Sequence, residues 1–377
     1  MFVLRRACCR QSVALARFKS TLRPLPPLEE WKDLFIGFGF QNRITLKNQD
    51  TADKLAKAFF ADTKASDDGK IVIEAFPGAG CLTRSLMKLS KKKIKKLIVL
   101  EDGEPYLPYL KPLEKVDPRV KIIPMSGFTW STYTALEAEG LLDDVITKEW
   151  NGEIPNLHFV AHIPNSVLGE QLTNQFIRHI PERSWLFKYG RVPMSLLLSD
   201  YSYRRMSATN TDTEYCKLSV VAQAAASITP AIPREELQPY KDHFHPLGVG
   251  KEVVERKGNK RPAGSPYVAV QVDPLQEQVI ATGNLDKWDY ILRRMFILKT
   301  TPIRRAISSL GPGAYNLLPR LGDPNLPPEE RFDIDKKVRE LTMRDWCILV
   351  KRFDEWPFRP NDLDISEAIY KDVERER

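Results

Sequence analysis

The chain has 377 residues, of which 42% are hydrophobic and 28% are charged, as in a globular protein rather than a disordered or fibrous one. No apolar run reaches the roughly 18 residues that a membrane-spanning helix needs. The formal net charge is +8, but the first 28 residues hold six unopposed basic residues, which leaves only +2 for the rest. Overall charge therefore gives no support for nucleic-acid binding, and local basic clusters would have to supply it.

The first 28 residues form a distinct segment that is basic, amphipathic and free of acids before Glu29. This composition is typical of a mitochondrial transit peptide. We predict that residues 1–28 are a transit peptide and linker and that the mature protein lies in the mitochondrial matrix, with a nucleic-acid-binding basic tail as the alternative. The basic residues are Arg5, Arg6, Arg10, Arg17, Lys19 and Arg23.

Cysteine and histidine spacing gives no metal-binding pattern. The five cysteines include no C-x-x-C pair, and the five histidines lack partners at the spacing that a structural zinc site needs. We therefore expect no metal.

The most informative stretch, residues 71–87, reads IVIEAFPGAGCLTRSLM. It predicts a strand, a turn that carries Gly78 and Gly80, and the start of a helix, an arrangement that offers backbone N–H groups to a nucleotide-like ligand. A second predicted strand ends at Glu101, where an acid is well placed for ribose hydroxyls. The pattern alone fits dinucleotide and S-adenosylmethionine (SAM) sites equally.

Strand and helix patterns alternate along the first two thirds of the chain. This alternation predicts an α/β fold with a doubly wound, mostly parallel sheet. The predicted strands are 71–75, 97–101, 120–124, 157–161, 191–198 and 266–272, and the predicted helical stretches are 81–90, 105–113 and 168–180, with a mixed polar and helical stretch at 202–223.

After residue 274 apolar residues recur at helical spacing, which predicts a small helical C-terminal domain. We place an α/β domain at 29–276 and the helical domain at 277–377. The acidic tail from Asp362 to Arg377 lacks a core pattern, and we interpret it as mobile.

The order of these segments resembles the rRNA adenine dimethyltransferase family over nearly the whole mature chain. The family motif Glu-x-Gly-Pro-Gly-x-Gly-x-Leu-Thr corresponds to EAFPGAGCLT at 74–83, and TLKN at 45–48 stands where the family has Phe-Leu-x-Asp. The stretches 198–206, 214–223 and 293–307 are similar to later family segments. The resemblance implies a SAM-methyltransferase-type fold, with cofactor-binding positions at Leu46, Gly78, Gly80, Glu101 and His162.

The catalytic motif departs from the family pattern. The family uses Asn-Leu-Pro-Tyr to direct the adenine amine at the methyl group and to stack on the flipped base, whereas this chain has His162, Ile163, Pro164 and Asn165. Neutral His162 accepts one hydrogen bond at its bare nitrogen, and Asn165 offers no stacking face. We therefore assign no catalytic residue, and we expect methyl transfer to be absent or very weak.

The cofactor motifs depart as well. Phe76 occupies the first glycine position of the turn, where a ring would crowd a ligand. The stretch 125–128, where the family usually has the acid that binds the adenine amine, contains no carboxylate. We expect SAM to bind weakly, through Glu101 and the remaining glycines.

One branch of this family consists of mitochondrial transcription initiation factors, which bind the single-subunit mitochondrial RNA polymerase and help to melt promoters. A transit peptide combined with an altered catalytic motif matches that branch. The resemblance thus implies a monomer with RNA polymerase and promoter DNA as partners, rRNA as a further candidate and no membrane contact. The alternatives are a small-subunit rRNA adenine dimethyltransferase that uses SAM and a non-catalytic ribosome-assembly factor.

A groove that held a flipped adenine could hold single-stranded DNA, because both need basic edges and stacking faces. The candidate nucleic-acid contacts are Tyr201, Tyr203, Arg204, Arg205, Lys257, Lys260 and Arg261.

Overall fold

The computed structural model describes residues 24–35, 43–61, 69–246, 264–360 and 363. The transit-peptide prediction (apart from 24–28), the basic loop with Lys257, Lys260 and Arg261, and nearly all of the acidic tail lie outside these residues. The chain forms two compact units that interleave in sequence. The first takes the described residues within Met1–Thr173, Tyr189–Tyr201 and Thr229–Asp273, and the second takes those within Asn174–Lys188, Ser202–Ile228 and Pro274–Arg377.

The fold is built on a seven-stranded sheet with the order β4-β3-β2-β5-β6-β9-β7. The five strands β4, β3, β2, β5 and β6 pair in parallel with their neighbours in the sheet, and β9 pairs antiparallel with β6. The predicted α/β fold with a mostly parallel sheet is thus confirmed. The strands are β2 Lys70–Ala75, β3 Ile94–Leu100, β4 Val120–Ile123, β5 Leu157–His162, β6 Met194–Ser199, β7 Ala226–Pro230 and β9 Tyr267–Pro274; β1 Thr45–Leu46 and β8 Phe244–His245 form a separate antiparallel pair.

The central parallel strands of this sheet, β2, β5 and β6, are apolar on both faces, as expected for parallel strands that are covered on both sides. Ile71, Val72 and Ile73 are all fully buried. Ala75 at the end of β2 pairs in register with Leu100 of β3 and with Ala161 of β5. The residues that follow these positions therefore emerge at the same edge of the sheet.

Helices alternate with the strands along the chain. They are α1 Leu28–Leu34, α2 Gln49–Phe59, α3 Cys81–Met87, α4 Leu107–Leu110, α5 Pro112–Val116, α6 Trp130–Ala138, α7 Val167–His179, α8 Asp200–Ser207, α9 Lys217–Ala225 and α10 Tyr240–His243. The helical stretch predicted at 105–113 is two short helices, because Pro112 lacks the N–H that would continue the first one. Strand β3 begins three residues earlier than predicted, since Lys95 and Lys96 interrupt its apolar pattern.

The second unit is mainly helical. Its remaining helices are α11 Leu285–Ile297, α12 Ile303–Ala306, α13 Leu318–Leu321 and α14 Met343–Asp354. Trp346 donates a hydrogen bond from Nε1 to the hydroxyl of Tyr215 (3.0 Å), which donates to the carbonyl of Leu341 (3.0 Å). The buried carboxylate of Asp289 pairs with Lys217 (2.9 Å) and with Arg178. Residues from 174–188 and 202–228 thus pack with the C-terminal segment, which the sequence did not indicate.

No helix within the described residues is long and apolar enough to cross a bilayer.

Candidate functional site at the carboxyl ends of the strands

Three residues singled out by the sequence follow or end aligned strands. Phe76 follows β2, Glu101 follows β3, and His162 is the last residue of β5. In an open α/β sheet, ligands bind outside the carboxyl ends of the strands, where the strand order reverses. We call the region of Phe76, Gly78, Glu101 and residues 125–128 the cofactor cleft.

Glu101 is fully engaged by the protein itself. Its Oε2 accepts hydrogen bonds from Arg43 Nη2 (2.7 Å) and from the Gly78 N–H (3.0 Å), and its Oε1 accepts one from the Gly103 N–H (2.9 Å). The residue is 1% exposed. Burial raises the pKa of this carboxyl above its ordinary value, while Arg43 and the Gly103 N–H oppose the shift.

Phe76 adopts a left-handed backbone conformation with φ +61°, which is costly for a residue with a Cβ and natural for the glycine of the family motif. Its ring is buried and lies 4.7 Å from the ring of Phe128, centroid to centroid. A Cβ at Gly127 would come within 2.9 Å of the Phe76 ring. The ring therefore fills the space between the ends of β2 and β4.

The two glycines of the turn lie against side chains of the protein, so they do not border an open space for a ligand. A Cβ at Gly78 would lie 2.2 Å from Thr45 Cγ2, and a Cβ at Gly80 would lie 2.6 Å from Leu110 Cδ2. Both glycines have positive φ, so the turn itself requires them. Leu46, predicted as a cofactor contact, is a buried residue of β1 that pairs with Phe244 of β8.

The residues of the cofactor cleft do not fit SAM. Glu101, which stands at the position expected to bind the ribose, already accepts hydrogen bonds from Arg43 and from the Gly78 N–H, and the Phe76 ring occupies the turn. Residues 125–128 contain no carboxylate for the adenine amine.

His162 lies in a pocket filled by aromatic rings, which we call the base pocket. Its ring packs edge-on against Tyr267 (5.4 Å) and Phe244 (6.1 Å) and is 5% exposed. Burial, with a smaller effect of Arg43, lowers the pKa of His162 to about 3, so the imidazole is neutral. Asn165 is also buried, at 7% exposure. Among the described residues of this pocket, no hydrogen-bond acceptor lies beside an exposed aromatic face, since Phe244 and Tyr267 are buried.

Glu74 is a buried acid at the start of the EAFPGAGCLT motif, where the sequence alone indicated no separate role for it. It is 1% exposed, and neither carboxylate oxygen has a hydrogen-bond partner within bonding distance among the described residues. Burial raises the pKa of Glu74 to about 8, with the Thr83 hydroxyl opposing and Glu101 reinforcing the shift. The carboxyl is therefore largely protonated at neutral pH.

The predicted nucleic-acid residues that the structure describes lie on α8. Arg204 is exposed, and Tyr201 and Arg205 are half-buried. Tyr203 is 9% exposed, so its ring offers little face to a base. The remaining candidates, Lys257, Lys260 and Arg261, are outside the described residues.

Within the described residues, no group of three or more histidine, cysteine or acidic side chains could hold a metal ion.

A sequence profile of the family described as ribosomal RNA adenine dimethylase matches residues 42–341. The chain belongs to this family. The match covers the first unit from the segment before β1 onwards and extends into the helical second unit, as the sequence motifs predicted.

Relatives with two different names match almost the whole chain. "Mitochondrial transcription factor 1" of Saccharomyces paradoxus is 25% identical over 90% of this chain and 95% of its own length. "Dimethyladenosine transferase 1, mitochondrial" of Vermamoeba vermiformis is 24% identical over 89% of this chain and 97% of its own length. A transcription factor 1 of Lachancea kluyveri is 26% identical, but the match spans 66% of that protein.

Among solved structures, a dimethyladenosine transferase from Plasmodium falciparum matches with a TM-score of 0.50 and 18% identity, over 82% of this chain and 97% of that one. The likeness supports the same fold. The family thus includes proteins named for transcription and proteins named for methyl transfer, and the site has to decide between them.

Proposed function

We propose that this chain is a mitochondrial transcription initiation factor that binds the mitochondrial RNA polymerase and helps it to recognise and melt promoters. The observation that carries the proposal is the filled site: aromatic rings occupy the base pocket around neutral His162, and Arg43 occupies Glu101 in the cofactor cleft. A family fold without a usable reaction centre fits a binding role better than a catalytic one. The relatives named mitochondrial transcription factor 1 support it.

The contribution to melting would come from binding unpaired DNA. Stacking on aromatic faces contributes ~1–3 kcal/mol per base, and basic side chains hold the backbone. Tyr201, Arg204 and Arg205 on α8 are the described candidates, while Tyr203 is too buried to stack. The loop with Lys257, Lys260 and Arg261 remains part of the proposal from its sequence.

The same proposal places the protein in the mitochondrial matrix as a monomer. Its support is the basic, acid-free segment at 1–28 together with the mitochondrial names of the relatives. SAM binding would be weak, because the cofactor cleft does not fit the ligand.

The alternative with a specific observation in its favour is a matrix rRNA dimethyltransferase. The relative from Vermamoeba vermiformis covers 89% of this chain, and Glu101 retains the position of the ribose-binding acid. That alternative requires methyl transfer from a site whose amine-binding asparagine and stacking aromatic residue are replaced.

The decisive experiment is run-off transcription by the cognate mitochondrial RNA polymerase on closed linear and premelted promoters, with and without the protein. We expect initiation on the closed promoter to rise with the protein. The increase should be smaller on the premelted promoter, because its strands are already separated. Substitution of Arg204 and Arg205 by alanine should weaken the increase, most strongly at low salt, because the variant neutralises fewer phosphates and its DNA binding then depends less steeply on salt.

Arg344, an exposed arginine far along the chain on α14, provides the control substitution to alanine. A parallel incubation of small-subunit rRNA with labelled SAM should yield no dimethyladenosine. Robust methylation with no effect on initiation would favour the dimethyltransferase. Absence of both activities, with retained rRNA binding, would favour a ribosome-assembly factor.

A further inference from the structure

The cofactor cleft is occupied by a side chain that the family resemblance does not assign. Arg43 comes from the segment before β1, 58 residues from Glu101 in sequence. Its Nη2 lies 2.7 Å from Glu101 Oε2, and its Nη1 lies 3.7 Å from Asp102 Oδ1. The Arg43 side chain is 11% exposed and that of Glu101 is fully buried, so this is an ion pair shielded from water rather than a surface contact.

Two aromatic rings enclose the same guanidinium. Its carbon lies 5.2 Å from the centroid of the Phe76 ring and 5.7 Å from that of Tyr106, within the range of cation–π attraction. Both rings are 1% exposed. Phe76 therefore does more than obstruct the glycine turn, because it supplies one wall of a cage for Arg43.

We propose that Arg43 is an internal ligand of the cofactor cleft: its guanidinium takes the place beside Glu101 that the family gives to the ribose of SAM. In this arrangement Phe76, Tyr106 and Glu101 bind a part of the chain itself. The cleft thereby anchors the segment that leads into β1 against the end of β3. The proposal goes beyond the role in transcription and does not depend on it.

The charges around the pair determine how it responds to pH. Besides Arg43, Glu101 faces the acids Asp102 and Glu74 and the hydroxyl of Tyr106. With Arg43 in place, burial still raises the pKa of Glu101. A group whose folded-state pKa is raised loses its contribution to stability as the pH rises from its unfolded value towards its folded value.

Removing Arg43 therefore raises the pKa of Glu101 further and increases the stability that the protein loses as the pH rises. The loss of stability in R43A should be larger at about pH 8, far above the ordinary pKa of a carboxyl, than at about pH 5, where taking up a proton on folding costs little. A structural role for Arg43 by packing alone would give the same loss at both pH values.

The test is the thermal midpoint of the full chain at both pH values. We expect R43A to lower the midpoint by roughly 6–15 °C at the higher pH and by less at the lower one. Adding E101Q should restore part of the loss at the higher pH, because no buried carboxylate is left without a cation. R304A, which breaks an exposed ion pair with Asp335, is the control and should shift the midpoint by no more than about 2 °C.

An R43A midpoint within the range of the control at both pH values would overturn the proposal. So would a double variant R43A/E101Q no more stable at the higher pH than R43A, which also decides the case if R43A alone does not fold. Calorimetry with S-adenosylhomocysteine gives an independent check, since the guanidinium and a ribose compete for Glu101. Saturable binding to the wild-type protein with Kd below about 10 µM would contradict the internal ligand.

Discussion

The cofactor cleft and the base pocket lie at the same edge of one sheet, yet they are filled by different kinds of contact. In the cofactor cleft a buried ion pair between Arg43 and Glu101 lies between aromatic faces. In the base pocket His162 is neutral and packs against Tyr267 and Phe244. An ion pair occupies the cofactor cleft, whereas packed aromatic rings occupy the base pocket. The stability of the two regions should therefore respond differently to pH and to the removal of a ring.

The largest effect is expected from Phe244→Ala in the base pocket. Phe244 is fully buried and contacts the rings of Tyr240 (5.2 Å) and Tyr267 (5.0 Å), so its loss leaves a cavity. We expect the free energy of unfolding to fall by about 3–5 kcal/mol in urea titrations at any pH. Phe358→Ala, at a ring that is 76% exposed, should change it by no more than about 0.5 kcal/mol. A similar effect of the two substitutions would show that the base pocket is not packed as described.

The matching substitution in the cofactor cleft, Phe76→Gly, should cost less. It also removes a buried ring, but glycine adopts the positive φ of residue 76 without strain. Relief of that backbone strain contributes about 1–2 kcal/mol to the free energy of unfolding. We expect a net loss of about 2–3 kcal/mol in the same titrations. A loss equal to that of Phe244→Ala would mean that the turn stores no strain.

Acid should destabilise the base pocket through His162. The folded-state pKa of His162 is lowered to about 3, so its contribution is present above the unfolded value near 6.5 and is lost as the pH falls. We expect this residue alone to reduce the free energy of unfolding by about 2 kcal/mol at pH 5 relative to pH 7.

His162→Phe should flatten that part of the pH profile, because phenylalanine cannot take up a proton. The buried His158, whose pKa burial also lowers to about 3, should keep a residual dependence. An unchanged profile in the variant would indicate that His162 is protonated in the folded protein.

The smallest effect is expected from Glu74→Gln, beneath the cofactor cleft. The pKa of Glu74 is raised to about 8, so the acid contributes to stability below pH 4.5 and loses that contribution as the pH rises through 8. Glutamine should therefore stabilise the protein by about 1–2 kcal/mol at pH 8 and change little at pH 4.5. Chemical denaturation at both pH values measures the difference, and a destabilised variant at pH 8 would point to an ionised Glu74.

Local patterns predicted most of the sheet. The apolar runs of β2, β5 and β6 are long enough to mark buried parallel strands, and the glycine turn marked the carboxyl edge. Strand β7 was missed because its residues 226–230 are mostly exposed and lack an apolar run. The pair β1 and β8 was missed because each strand has only two residues.

The sequence predicted where the candidate site lies, but not which side chains fill it. The motif placed Phe76, Glu101 and His162 at one edge, and the register of β2, β3 and β5 brings them there. Arg43 was missed because its partner is 58 residues away and a single arginine carries no pattern. The rings of Tyr240, Phe244 and Tyr267 come from segments without a motif, so only the fold brings them to His162.

On this evidence the protein is a methyltransferase fold whose filled site acts in transcription without methyl transfer. The most direct measurement is the fluorescence of 2-aminopurine in the melting region of a closed mitochondrial promoter, with the polymerase present, as the protein is titrated in without SAM. We predict that fluorescence rises as the strands separate and that added SAM or S-adenosylhomocysteine leaves the titration unchanged. No rise without SAM, or a rise that requires it, would contradict the account.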